Sequence, residues 1–167
     1  MKNSVMIRSA NPEDSGFFAK IMRSNIPLYD PIMPGAFEKY AAFIEVQGIP
    51  KTYFSEIIEF NNLPVGIIGT IKLTEKICYL LAFYLFRDVQ GKGIGKTALR
   101  TLTHRLKKDG FTHMILLAHK EADWARQFYE KNGFVCISEE SAEIEAYKEG
   151  ILKNQMIKNC ALYEYMF

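Results

Sequence analysis

From Leu85 to Thr97 the chain reads Leu-Phe-Arg-Asp-Val-Gln-Gly-Lys-Gly-Ile-Gly-Lys-Thr. Gly91, Gly93 and Gly95 fall where an apolar, strand-like run gives way to a helix-like one. Glycine there lets the backbone turn and lets a ligand approach the main-chain amides. The first N–H groups of the helix behind it have no intrahelical acceptor and lie at the positive end of its dipole. That arrangement suits an anion, most often a phosphate. Two known phosphate patterns fail on residue type. The dinucleotide fingerprint G-x-G-x-x-G requires glycine where Lys96 stands, and the P-loop G-x-x-x-x-G-K-[ST] requires it where Gln90 stands. A tight turn into a glycine-started helix is the plain structural reading of the same residues.

A second segment, Ala125-Arg126-Gln127-Phe128-Tyr129-Glu130-Lys131-Asn132-Gly133-Phe134, follows the next strand-like run. The pattern Gln-x-x-Gly-x-Gly at Gln90, Gly93 and Gly95 resembles the pyrophosphate-binding motif of the GNAT superfamily of N-acetyltransferases. The second segment is similar to that family's A-x-x-F-Y-x-x-x-G-F element, in the expected order. The resemblance covers nearly the whole chain. It implies an α+β fold in one domain over residues 1–167. The sheet would be mixed and mostly antiparallel, with six or seven strands, splayed between the fourth and fifth, and flanked by about four helices. It implies acetyl-CoA as cosubstrate in the splay, no metal, and direct transfer to a primary amine in a ternary complex.

Residue by residue, the resemblance implies that the amides of Gly91, Lys92, Gly93, Ile94, Gly95 and Lys96 hold the pyrophosphate, with Gln90 at the first motif position. A backbone N–H near Leu85 would polarise the thioester carbonyl. Phe83 and Leu85 would pair with the pantetheine arm like an added strand. Tyr129 matches the tyrosine placed beside the sulfur. A phenol of pKa ~10 can protonate a thiolate whose acid lies near ~8.5. Packing on an amphipathic helix is the alternative role for Tyr129.

Two positions depart from the family. A glutamate common on the fourth strand is missing, since its positions read Tyr79, Leu80, Leu81 and Ala82. The Asn three residues before Ala125 is Ala122, which removes one contact to the cofactor arm. Substitute bases are His119, at the end of the fifth strand, and Glu56 or Glu59 on the second. His119 has a suitable ordinary pKa, against the reading of a solvent-facing loop histidine. Loss of the amine proton to water or solvent is the further option. The stretch Ile26–Tyr40, rich in proline and aromatics and carrying Tyr29, is assigned as the acceptor lid, with Glu56 as a second acceptor contact. The missing glutamate keeps a second class open: a non-catalytic acyl-CoA-binding module of the same fold, acting as a sensor or interaction domain.

The elements that position these groups follow from period and punctuation. Val5–Arg8 reads as a strand. Asn11-Pro12-Glu13-Asp14 opens a helix to about Arg23 that buries Phe17, Phe18, Ile21 and Met22. Asn25–Gly35 reads as irregular, with three prolines. Ala36–Gln47 is helical, stopped by Gly48. Tyr53–Phe60, Val65–Leu73 and Ile77–Phe86 form an antiparallel meander with short turns. A helix from the glycine loop to about Lys108, a strand at Thr112–His119, a helix at Asp123–Lys131 and a strand at Phe134–Ser138 come next. A polar, acidic stretch, Glu139–Asn159, precedes a last strand, Cys160–Phe167. Mixed strands and helices of this order indicate α+β.

Composition limits the function classes. The chain has 167 residues, enough for one domain with a sizeable core. It is 49% hydrophobic with a net charge of +2, unlike a disordered chain or a nucleic-acid binder that works by bulk charge. The charge is unevenly distributed. Arg87–Lys131 carries ten basic and five acidic residues, and Asn25–Asn62 two basic and five acidic. A basic half suits a polyphosphate donor and an acidic half a cationic amine. Ordinary solvated faces are the alternative. Cys78, Cys136 and Cys160 are too few for a disulfide framework or zinc site. The start lacks the apolar core of a signal peptide, and Ile77–Phe86 is too short to span a bilayer. The expectation is a cytoplasmic protein with no membrane or nucleic-acid partner, and a homodimer as the assembly to test.

Overall fold

The computed structural model describes residues 3–167. Its strands are β1 (Val5–Ser9), β2 (Phe54–Phe60), β3 (Leu63–Lys72), β4 (Ile77–Leu85), β5 (His113–His119), β6 (Val135–Ser138) and β7 (Cys160–Met166). Its helices are α1 (Ser15–Ser24), α2 (Ile26–Tyr29), α3 (Ala36–Gln47), α4 (Ile94–Lys108), α5 (Asp123–Lys131) and α6 (Ser141–Ala146). The strands lie in the order β1-β2-β3-β4-β5-β7-β6. β4 and β5 are parallel, whereas β1–β2, β2–β3, β5–β7 and β6–β7 are antiparallel. This is the mixed seven-stranded sheet the sequence led us to expect. The parallel ladder joins Ile77–Tyr79 to His113–Ile115, while β4 itself runs on to Leu85. Beyond Tyr79 the parallel ladder does not continue.

The chain divides into two compact units. One holds the residues up to Ile71 together with Ala82–His104, the other Lys72–Leu81 together with Arg105–Phe167.

In the first unit, α1 and α3 bury Phe18, Ala19, Ile21, Met22, Phe37, Ala41 and Ile44 against Ile57 of β2 and Ile67 of β3. Each fully buried Ile or Phe contributes about 1.5–3 kcal/mol, so this layer fixes how α1 and α3 lie on the strands. α1 departs slightly from expectation. Pro12–Asp14 is a single 3-10 turn, and the α-helix starts at Ser15. The Asp14 carboxylate accepts the Asn11 N–H at 2.7 Å, which closes that turn. α3 stops at Gly48, whose φ of +81° favours glycine. Within the stretch read as irregular, Ile26–Tyr29 is a short helix with Pro27 in its first turn, where the missing N–H has no intrahelical acceptor to lose.

In the second unit, β5 pairs with β7 along its whole length, from His113 opposite Met166 to His119 opposite Cys160. β6 lies on the other side of β7, with a register shift between Cys136 and Ser138. Met114, Ile115, Leu116, Leu162 and Tyr163 are fully buried. The acidic stretch after β6, to which the sequence assigned no element, contains α6. Buried Ile144 and Leu152 anchor it, a sparse apolar signal that period-counting misses. No cysteine is in a disulfide, and Cys78 and Cys160 are buried. Among the described residues no helix is long and apolar enough to cross a membrane.

Candidate functional site

In the first unit, β4 ends in a buried amide clip that holds the glycine loop. Asn25, directly after α1 and 2% exposed, donates through Nδ2 to the carbonyls of Ile21 (3.0 Å) and Leu85 (2.9 Å). Gln90 donates through Nε2 to Asn25 Oδ1 (3.1 Å) and again to the Leu85 carbonyl (3.0 Å). The neighbouring Ser24 hydroxyl accepts the Arg87 N–H at 3.1 Å. Gln90, assigned to the cosubstrate from its motif position, therefore turns inward and fixes the start of the loop. Asn25 escaped the sequence reading because a lone Asn at a helix end reads as a cap.

Gly91 and Gly93 have φ of +75° and +79°, and no heavy atom lies within 4 Å of where a Cβ would stand on either. Gly91, Lys92 and Gly93 are exposed, while Ile94 is buried and pins α4 to the core. The Gly93 carbonyl accepts the Thr97 N–H and hydroxyl, both at 3.1 Å. The α4 amides after Gly93 thus stand at a helix start above open space, the geometry of an anion cradle. Ala98, Leu102 and Leu106 face inward and Lys96, Arg100 and Lys107 outward, as the pattern predicts. Phe83 is half-buried on β4 and Leu85 is buried against Gly66. A Cβ on Gly66 would stand 2.5 Å from Leu85 Cδ2 and 2.7 Å from the Tyr84 carbonyl.

Tyr29 of α2 stacks on Phe37 of α3 (4.2 Å, 16°), and both meet Tyr84 of β4 edge-on, at 5.9 and 5.3 Å. Glu56 is 1% exposed on β2. The acidic character assigned to Asn25–Asn62 is partly offset by residues outside that segment. Arg23 of α1 binds both Glu38 and Glu45, and Arg8 of β1 binds Glu59 at 2.8 Å and Asp14 at 2.8 Å. Asp30 is turned onto the Gly35 N–H at 2.8 Å. The hydrogen bonds from Arg23 hold Glu38 and Glu45 below the usual carboxylate range, and the one from Arg8 does the same for Asp14. Counting charge along one segment missed these partners because they arrive from other elements.

In the second unit, Tyr129 of α5 is half-buried and meets Phe128 (5.3 Å) and Phe134 (5.4 Å) at steep angles. The Tyr129 carbonyl accepts the N–H groups of Asn132 and Phe134. Gly133 has φ +94°, and a Cβ there would stand 2.9 Å from the Tyr165 ring. The F-Y-x-x-x-G-F spacing is therefore also a packing requirement. Arg126, at a free position of that motif, forks three ways. It donates to the Tyr163 hydroxyl (2.8 Å), to the Lys120 carbonyl (3.0 Å) and to Glu139. The Tyr163 hydroxyl donates in turn to Glu130 at 2.8 Å. Burial pushes that phenol up to about 12, against the pull of Arg126.

His119 ends β5 and is 8% exposed, not solvent-facing. Its Nδ1 accepts the Glu121 N–H at 3.2 Å, so the neutral ring carries its proton on Nε2. The nitrogen a base would use is already engaged. Ala122 is buried at the start of α5. Among the described residues no group of three or more His, Cys, Asp or Glu is placed to hold a metal.

The Acetyltransferase (GNAT) family profile matches residues 21–134. No curated protein sequence matches. Solved structures of similar fold include the PaiA N-acetyltransferase of Thermoplasma acidophilum in complex with coenzyme A. It is 18% identical with a TM-score of 0.69, over 98% of this chain and 99% of that one. An acetyltransferase of Thermus thermophilus is 15% identical with a TM-score of 0.72, over 98% and 97%. One from Streptococcus agalactiae is 14% identical with a TM-score of 0.70, over 98% of each.

Proposed function

The chain belongs to the GNAT acetyltransferase family, and we propose that it moves the acetyl group of acetyl-CoA onto a primary amine. The observation that carries this is the glycine loop. Gly91 and Gly93 take left-handed conformations with open space above them, ahead of a helix whose first amides have no internal acceptor. Such a cradle fits a pyrophosphate. The Thermoplasma relative of this fold was solved with coenzyme A, which supports the same ligand class here.

In this reading Phe83 and Leu85 offer the β4 backbone to the pantetheine arm. The amine nitrogen attacks the thioester carbonyl, the C–S bond breaks, and the Tyr129 hydroxyl protonates the departing sulfur; the proton that the nitrogen sheds on becoming an amide returns through water to the phenolate. With Nδ1 of His119 engaged and Glu56 buried, the amine gives up its proton to solvent before attack. The same two facts support a second reading, a module that binds acyl-CoA without turning it over.

Titration calorimetry with coenzyme A, together with thiol release across an amine panel, tests both. Coenzyme A binding with amine-dependent thiol release supports transfer. Binding without release from any amine supports the module. Tyr129→Phe is expected to lower kcat about a hundredfold, within the range of a lost general acid, with coenzyme A affinity unchanged. An unchanged kcat removes the tyrosine from the chemistry.

A further inference from the structure

β4 presents only a small side chain at Ala82. A Cβ built on the adjacent Gly69 of β3 would stand 3.3 Å from Ala82 Cβ and 3.3 Å from the Tyr53 ring, so Tyr53 covers these small residues. Two residues along the same strand face, Tyr84 meets Tyr29 and Phe37. α3 carries Phe37 and, one turn on, Tyr40, whose hydroxyl is hydrogen-bonded to that of Tyr53. Phe43, a further turn along, lies parallel to Tyr40 with centroids 6.5 Å apart. Phe43 is 49% exposed and Phe54, beside Tyr53, is 54% exposed. A row of aromatic rings therefore leads from the core to water, all within the first unit.

The polar atoms these rings contribute are phenol oxygens. Burial raises both the Tyr40 and Tyr53 phenols above their ordinary value, so both stay neutral. Three of the five carboxylates nearby in sequence, Glu38, Glu45 and Glu59, are held by Arg23 and Arg8.

Resting on the acetyl-transfer reading, we infer that the acceptor is a primary amine borne on an aromatic or bulky apolar body. It is seated against Tyr29, Tyr84 and the Tyr40–Tyr53 pair. A phenol oxygen accepts the amine N–H, and the rings take the apolar body. A polyamine is disfavoured because its further ammonium groups would lose water, and three of the five nearby carboxylates that could replace it already bind arginine. An amino sugar is disfavoured because its hydroxyls would lack partners.

The test compares phenethylamine, spermidine, glucosamine and a phenylalanyl dipeptide amide, with acetyl-CoA saturating and free thiol read out. Phenethylamine is expected to exceed spermidine and glucosamine by about tenfold or more in kcat/KM, the scale of a well-filled apolar pocket. The dipeptide amide separates a free amine from a peptide N-terminus bearing the same group. Tyr53→Phe is expected to raise KM for phenethylamine about fivefold, the scale of one neutral hydrogen bond, with coenzyme A affinity unchanged. Should that variant fail to fold, the wild-type panel still decides. Spermidine or glucosamine turned over faster than phenethylamine overturns the inference and leaves acetyl transfer standing. Absence of both coenzyme A binding and thiol release brings down both.

Discussion

The two units carry their motif glycines at similar backbone angles for opposite reasons. Gly91 and Gly93 in the first unit have φ near that of Gly133 in the second, +75° and +79° against +94°. Nothing lies within 4 Å of a Cβ on the first two, whereas the Tyr165 ring would stand 2.9 Å from one on Gly133. In the loop, missing side chains leave room. After α5, the missing side chain lets a ring close. The same residue type in two motifs thus marks access in one unit and packing in the other.

The comparison is sharpest at Gly133. Gly133→Ala combines a disfavoured φ with a ring clash and is expected to cost about 2–3 kcal/mol, read as a lower urea midpoint. A loss under half of that would mean Tyr165 swings aside, and the packing role would fall. Gly93→Ala meets no neighbour and carries backbone strain alone, about 1 kcal/mol. Its larger effect is expected in ligand binding, with coenzyme A affinity falling about tenfold, equal to ~1.4 kcal/mol. Unchanged affinity would strip the loop of its cradle role.

The smallest effect concerns the ion pairs of the first unit. Arg23 and Arg8 lower the folded-state pKa of Glu38, Glu45 and Asp14. Their stabilisation is present above the ordinary carboxylate pKa of about 4 and is lost as pH falls through the lowered values. Arg23→Met is expected to make thermal stability less steep on the acid side and to change little near neutral pH. An acid limb identical to wild type would show that these exposed pairs contribute nothing.

Much of the fold was legible because strands and helices here have clean periods. β2, β3 and β4 alternate or run apolar between short turns, and α1, α3 and α4 each bury one stripe. The short α2 and α6 were not legible: one carries a proline in its first turn, and the other is anchored in an acidic run by Ile144 and Leu152 alone. At the site, residues whose role depends on conformation, Gly91, Gly93 and Gly133, stood out by type. Residues whose role depends on a distant partner did not. Asn25 matters because Leu85 and Gln90 reach it, Arg126 because Tyr163 and Glu139 do, and Arg23 because it binds two glutamates of another segment. Tyr40 and Tyr53 lie 13 positions apart and meet only through the fold.

The buried amide clip has a further consequence, in entropy. Ordering one backbone residue costs about 1–2 kcal/mol. Gln90 is already fixed by Leu85 and Asn25, and Gly93 by Thr97. Of the loop between them, Gly91 and Lys92 alone retain freedom to lose when an anion arrives. Most of what the amides gain from the ligand is thus kept as affinity, and little goes into arranging the loop.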